Sequence, residues 1–218
     1  MNGKIAHGTR TPSDGVTRTH TATMAAEAQL PSRFGSFRVV AFDSTDGREH
    51  AAIIHGDVRG ADEVALRVHS ECFTGDVMGS LKCDCRDQLE AALKDIASRP
   101  CGVVLYLRQE GRGIGLANKI RAYALQDAGL DTVEANHALG FDDDERRYEV
   151  AACMIEELGI QSIRLMTNNP NKVAGLRELG VDVRGRIPHV MTANRHNAFY
   201  LQTKRAKSGH MIPDESLS

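Results

Sequence analysis

Three cysteines, Cys72, Cys83 and Cys85, fall within fourteen residues of the run Arg67-Val-His-Ser-Glu-Cys-Phe-Thr-Gly-Asp-Val-Met-Gly-Ser-Leu-Lys-Cys-Asp-Cys-Arg-Asp-Gln88. No other feature restricts the fold as tightly, because two short hairpin-like segments at this spacing can bring three sulfurs onto one ion. Zinc suits thiolates, and three protein ligands leave a fourth position open for water, whereas a structural site is normally closed by four. The count of three points to a zinc that activates water. A closed alternative would use Cys101, between Pro100 and Gly102 at a turn, as a fourth ligand. The pair Cys83-x-Cys85 is tighter than the usual zinc knuckle, which weighs against it. Cys153 sits in the apolar stretch Val150-Ala-Ala-Cys-Met-Ile155 and reads as a core residue.

Around the cysteines the periodicity alternates. Phe37–Phe42, Ala51–His55 and Val64–His69 read as strands, the last delivering the chain into the cysteine run. Leu89, Ala92, Leu93 and Ile96 fall at helical spacing, with Asp84 or Asp87 available to cap the helix start. The apolar strand 102–107 leads into Gln109-Glu-Gly-Arg-Gly-Ile-Gly115, followed by helices over 116–128 and 145–158. A strand over 160–166, a helix over 170–179 and a strand over 181–187 complete the pattern. Such alternation predicts an α/β fold, a mixed β-sheet flanked by helices, with a mainly antiparallel N-terminal strand region carrying the zinc site. Residues 1–28 show no apolar period and read as a disordered leader. A single domain is expected over 29–211, with a helix around 200–207, and a flexible tail over 212–218.

Composition narrows the partners. Lys plus Arg is 27 and Asp plus Glu is 29, and this near-balance argues against a general nucleic-acid or membrane-surface binder. It leaves room for a local cationic pocket. Five cysteines without a hydrophobic leader, and no run near the ~20 apolar residues of a membrane span, point to a reducing cytoplasm.

The remaining motifs are weaker when taken alone. The loop at Gly111, Gly113 and Gly115 follows a strand and opens a helix, where backbone N–H groups can hold phosphate. Its spacing fails the dinucleotide fingerprint, so it reads either as a tight turn or, with Arg108 and Arg112, as an anion site. Phe141-Asp-Asp-Asp-Glu-Arg-Arg147 reads first as capping chemistry at a helix start. Thr167-Asn-Asn-Pro-Asn-Lys172 lies past the C-terminal end of a strand, where open α/β sheets bind ligands, and reads equally as a polar turn.

In combination and order these segments closely resemble GTP cyclohydrolase II. Arg-Val-His-Ser-Glu-Cys, the Cys-Asp-Cys pair, Arg-Gln-Glu-Gly-Arg-x-Ile-Gly-Leu, Lys-Ile-Arg-Ala-Tyr-Ala-Leu-Gln-Asp, Asp-Thr-Val-Glu-Ala-Asn, Asp-Glu-Arg and Leu-x-Thr-Asn-Asn-Pro carry the likeness across roughly residues 27–211. The resemblance implies hydrolysis of GTP at its imidazole ring, loss of C8 as formate and release of pyrophosphate. The product would be 2,5-diamino-6-hydroxy-4-(5-phosphoribosylamino)pyrimidine, the first intermediate of riboflavin synthesis. By motif, Cys72, Cys83 and Cys85 would bind zinc. Arg67, Val68, His69, Ser70, Glu71, Gln88, Glu110, Gly111, Arg112, Thr132, Thr167 and Lys172 would hold GTP, with Mg²⁺ beside the triphosphate. Tyr123 matches the family's active-site tyrosine, and Asp144 and Arg146 match its proton acceptor and nucleophile. A guanidinium is a poor nucleophile, so Arg146 reads equally as a stabiliser of charge on the α-phosphate. The family also implies a homodimer. Two rival readings stand beside the full reaction: ring opening that retains the formyl group, and a non-catalytic GTP-binding regulator with a structural zinc.

Overall fold

The computed structural model describes residues 18–142, 144–194, 197, 202–203, 205–206, 209, 211 and 213. A seven-stranded mixed sheet runs through it in the order β1-β2-β3-β5-β4-β6-β7. The first three strands, β1 (Ala22–Ser32), β2 (Gly35–Ser44) and β3 (Glu49–His55), form an antiparallel meander, and β3 pairs antiparallel with β5 (Gly102–Leu107). From β5 onward the pairing is parallel, through β4 (Val64–Ser70), β6 (Ile163–Met166) and β7 (Val183–Ile187).

β1 begins within the expected leader, so residues 22–28 are strand rather than disordered. Its outward run is mostly exposed and has no apolar period to read. The pairing is a backbone ladder to β2, from Ala22↔Ser44 to Ser32↔Gly35. Arg18 fixes its start by donating to Glu156 Oε2 at 2.6 Å and to the Leu179 carbonyl at 3.0 Å. The rest of the leader, residues 1–17, lies outside the described residues. So does half of the expected 200–207 helix, although Gln202, Thr203, Arg205 and Ala206 are helical.

Helices cover both faces. α1 (Cys85–Ala97) packs on one face through Ala92 and Ile96 against Phe37, Ala65 and Val104. Gly102 permits this approach: a Cβ there would meet Ile96 Cβ at 2.7 Å. On the other face, α4 (Glu149–Glu157) and α5 (Pro170–Glu178) bury Met154, Ile155 and Leu176 against Phe42, Ile54, Leu66 and Leu105. Each such fully buried side chain contributes about 1.5–3 kcal/mol. Period-two alternation sends Val64, Leu66 and Val68 into this larger core and turns Arg67 and His69 to the α1 face. Asp84 occupies the N-cap position of α1 without capping it; its carboxylate accepts from Gln88 Nε2 instead. α4 starts at Glu149, so residues 141–147 are not its first turn. Glu145 N donates to the Arg112 carbonyl at 3.0 Å, which binds that segment to the glycine loop.

Two further helices, α2 (Leu116–Asp127) and α3 (Thr132–Ala138), cover the site. α3 is short and is set by a full capping box, with Asp131 accepting from Val133 and Glu134 N–H groups and Glu134 returning to Asp131 N–H.

Candidate active site

The cysteine run leaves β4 and makes a single π-helical turn, Phe73–Val77, before entering α1. That turn folds the chain back so that the Cys72, Cys83 and Cys85 sulfurs lie within 4.8 Å of one another, Cys72 and Cys83 at 3.7 Å. Gly75 makes room for the cluster: a Cβ there would stand 2.9 Å from Cys83 Sγ and 3.1 Å from Cys72 Sγ. No fourth His, Cys, Asp or Glu joins the group among the described residues. Cys101 precedes β5 at the opposite end of the parallel strands, roughly 20 Å away by strand rise, so the closed four-sulfur alternative fails. Cys153 is buried in α4, as its apolar surroundings suggested.

The sulfurs share protons unevenly. Hydrogen bonds from the Cys83 and Cys85 thiols hold Cys72 far below the usual thiol range, and Lys119 adds to the effect. Cys83 is pushed up to about 11, first by donating to Cys72, and Cys85 is raised by the same contacts and by burial. One negative charge settles on the trio because a second would be repelled. A soft dication would let all three ionise, so the donor set and its spacing fit a thiolate-bound metal.

A cavity of about 380 Å³ opens beside the cysteines, within the range of small-molecule sites. The structure brings most of the sequence-derived residues to its wall. Arg67, His69, Ser70 and Glu71 come from the end of β4, and Gln88 from α1. Glu110, Gly111 and Arg112 come from the glycine loop, Tyr123 from α2 and Thr132 from α3. Arg146, Thr167 and Lys172 close it. Two residues stand apart. The Val68 side chain points into the core, and its backbone carbonyl accepts from Lys172 Nζ at 3.0 Å. Asp144 does not line the cavity but grips Arg146 bidentately, through Nε at 2.7 Å and through Nη2. Burial opposes the Asp144 charge, yet the Arg146 contacts outweigh it and hold the carboxyl below its usual range.

Arg67 is 7% exposed, donates to the Met166 carbonyl at 2.8 Å and to Gln88 Oε1, and leaves Nε without a partner. Burial lowers its pKa to about 10. His69 Nε2 faces both Asp76 oxygens at 3.0–3.1 Å, while its buried Nδ1 has no partner. Asp76 also accepts from Tyr106 OH at 2.9 Å and Cys72 N–H at 3.0 Å, so one carboxylate aligns the histidine and the first cysteine. Tyr123 OH lies 3.5 Å from Thr74 Oγ1, itself 3.7 Å from Cys72 Sγ. Burial pushes the Tyr123 phenol up to about 12.

The glycine loop is built for close approach. Gly111 and Arg112 have φ of 63° and 59°, the latter costly for a residue with a Cβ. At Gly113, with φ 99°, a Cβ would meet Glu145 Cβ and O at 2.9 Å, so glycine lets the 141–147 segment dock. Arg108 does not line the cavity and lies 3.7 Å from Glu71 Oε2 at its rim. Asn169 caps α5 by accepting from Asn171 N–H at 2.9 Å, and this helix start presents buried Lys172.

Sequence reasoning missed Asp76, Tyr106, Lys119 and His189. Lys119 and Tyr123 are four residues apart on α2, a one-face spacing that could have flagged the lysine. His189, just past β7, lines the cavity and faces the Gln88 carbonyl through Nε2 at 2.8 Å; nothing in its local sequence marks it.

A family model described as GTP cyclohydrolase II matches residues 23–188. The chain belongs to the GTP cyclohydrolase II family. It is 54% identical over 187 residues to a GTP cyclohydrolase-2 of Picrophilus torridus, covering 86% of this chain and 97% of that one. The enzyme of the same name from Haemophilus influenzae is 53% identical over 191 residues, covering 87% and 88%. That from Klebsiella pneumoniae is 53% identical over 188 residues, covering 86% and 94%. A solved two-domain 3,4-dihydroxy-2-butanone 4-phosphate synthase from A. baumannii aligns with TM-score 0.34 and 16% identity, over 67% of this chain and 34% of that one. That likeness is too distant to bear on the fold. Membership of the family makes the chain a hydrolase, and its cysteine trio can hold a metal.

Proposed function

We propose that this chain is a zinc-dependent GTP cyclohydrolase II. It converts GTP to 2,5-diamino-6-hydroxy-4-(5-phosphoribosylamino)pyrimidine, formate and pyrophosphate, at the entry to riboflavin synthesis. The observation that carries this reading is the three-sulfur cluster, joined by no fourth ligand among the described residues and opening onto a cavity lined by Arg112, Arg146 and Lys172. Guanine C8 is a weak electrophile, and a zinc held by Cys72, Cys83 and Cys85 would supply a more acidic water.

The protein's own groups divide the remaining work. With Nε2–H donated to Asp76, His69 keeps a buried Nδ1 lone pair that no protein donor fills. The raised pKa of Tyr123 keeps its phenol protonated, so it acts as a hydrogen-bond donor near the sulfur cluster. Arg146, clamped by Asp144, stays a fixed cation, which favours charge stabilisation at the α-phosphate over nucleophilic attack. Held low by that same pair, Asp144 is an orienting anion rather than a base poised near neutrality. The triphosphate carries about four negative charges, so Arg112, Lys172 and a Mg²⁺ ion would share it. A homodimer in a cytoplasmic setting belongs to the same reading; no helix among the described residues is long and apolar enough to cross a membrane.

Zinc-loaded protein incubated with GTP and Mg²⁺, with product mass and formate read together, tests the proposal. Formate with the diaminopyrimidine is the expected result. A formylated product would replace the full reaction with ring opening alone, and unchanged GTP would leave a binding protein.

A further inference from the structure

Glu110 is held by three donors of the protein. Its Oε2 accepts from Phe73 N–H, and its Oε1 accepts from Gly111 N–H at 2.8 Å and from Lys119 Nζ at 2.7 Å. The ammonium so held stands 3.0 Å from Cys72 Sγ and is 9% exposed. Lysine is ordinarily an ammonium near neutral pH, and both of its contacts here are to acceptors. The glycine loop, the residue after the first cysteine and a cation on α2 are thus joined at one carboxylate.

That arrangement answers a difficulty in the chemistry. Three thiolates around a dication leave the centre with a net negative charge, and their strong electron donation makes the metal a weak acid toward water. A charged hydrogen bond to one sulfur withdraws density from it and offsets part of the local negative charge. A lysine paired with Glu110 alone would only cancel that carboxylate; the second contact, to sulfur, ties its charge to the metal site.

We infer that Lys119 is a positioning residue of the metal centre: fixed by Glu110, its ammonium draws charge from the Cys72 sulfur and so sets how strongly a metal on the three cysteines polarises what faces the cavity. This rests on the cysteines being the metal site.

Cobalt(II) replacing zinc reports the sulfur directly, through its sulfur-to-metal charge-transfer absorption. Four proteins are compared: the unaltered chain, Lys119→Met, Lys119→Arg and Glu110→Gln. Lys119→Met should still take up cobalt, with the band at longer wavelength because the sulfur lone pair is raised in energy. Its zinc form should lose about 10–100-fold in kcat, as supporting residues of metal sites do, with KM for GTP changed less than about threefold. Lys119→Arg should restore most of the band position. Glu110→Gln keeps the lysine but loosens it, and should shift the band part-way in the same direction; it is the deciding variant should Lys119→Met not fold. An unmoved band in Lys119→Met, or in Glu110→Gln where it stands in, overturns the inference. Absence of a sulfur-to-cobalt band in the unaltered chain would instead overturn the metal-site reading beneath it.

Discussion

The two halves of the sheet do different work. In the parallel half, β4, β5, β6 and β7 all end on the same edge, and each end leads into cavity-lining residues. Beyond β4 lie Glu71 and Cys72, beyond β5 the glycine loop, beyond β6 Thr167 and Lys172, and beyond β7 His189. The antiparallel half, β1 to β3, contributes none of the cavity's lining residues among those described. Its link to the site is indirect: His50 Nδ1 accepts from Arg108 N–H at 3.1 Å behind the glycine loop. Parallel strands aim their C-terminal ends one way, so functional loops converge; a meander splits its ends between two edges. One half of the sheet makes the chemistry and the other supplies backing for it.

The largest effect that would break this division is in the cysteines. Cys83→Ser should lose the bound metal and reduce formate release by more than about 100-fold, beyond the loss typical of a supporting residue. Metal analysis and a formate assay check it, and undiminished formate release would remove the metal site from the account. Next comes Phe42→Ala, deep in the antiparallel half. Urea unfolding should show a loss of about 3–5 kcal/mol, while the folded fraction keeps its KM for GTP. A large KM change would mean that the meander does shape the site.

A smaller effect concerns His189. Its burial, with Arg67 nearby, lowers its pKa to about 4. The unfolded chain therefore binds a proton that the folded chain refuses between about pH 6.5 and pH 4, and stability falls with pH in that window. From pH 7 to pH 5 this group alone should cost about 2 kcal/mol. His189→Gln should flatten that slope in unfolding curves at the two pH values; an equally steep slope would assign the acid sensitivity elsewhere. The smallest effect is expected from Arg38→Ala, which removes the exposed pair with Glu27 across β1 and β2. Stability should change by less than about 0.5 kcal/mol, and a larger loss would show that the meander edge is held by charge rather than by its backbone ladder.

Legibility in the sequence depended on how local each signal was. β5 could be read to its ends because a wholly apolar strand between turn residues has little else to be, and α5 because Pro170 and Asn169 mark its start. The cysteine trio was legible because sulfur spacing is local. β1 was not, because Ala22–Ser32 is rich in alanine, exposed, and made a strand by long-range pairing with β2. α3 carried its signal in Asp131 and Glu134, a capping box too short to show an apolar period. The roles of Asp76, Lys119 and Glu110 depend on three separate segments meeting at Cys72, which no local spacing encodes.

Hydrogen–deuterium exchange of the metal-loaded protein, with and without a non-hydrolysable GTP analogue and Mg²⁺, tests the division most directly. Protection is expected in residues 67–76, 109–123 and 167–172, with β1 to β3 unchanged. Protection centred on the β2–β3 turn and the second cavity, about 430 Å³ in size and lined by His50 and Arg147, would place the nucleotide on the wrong side of the glycine loop and contradict the account.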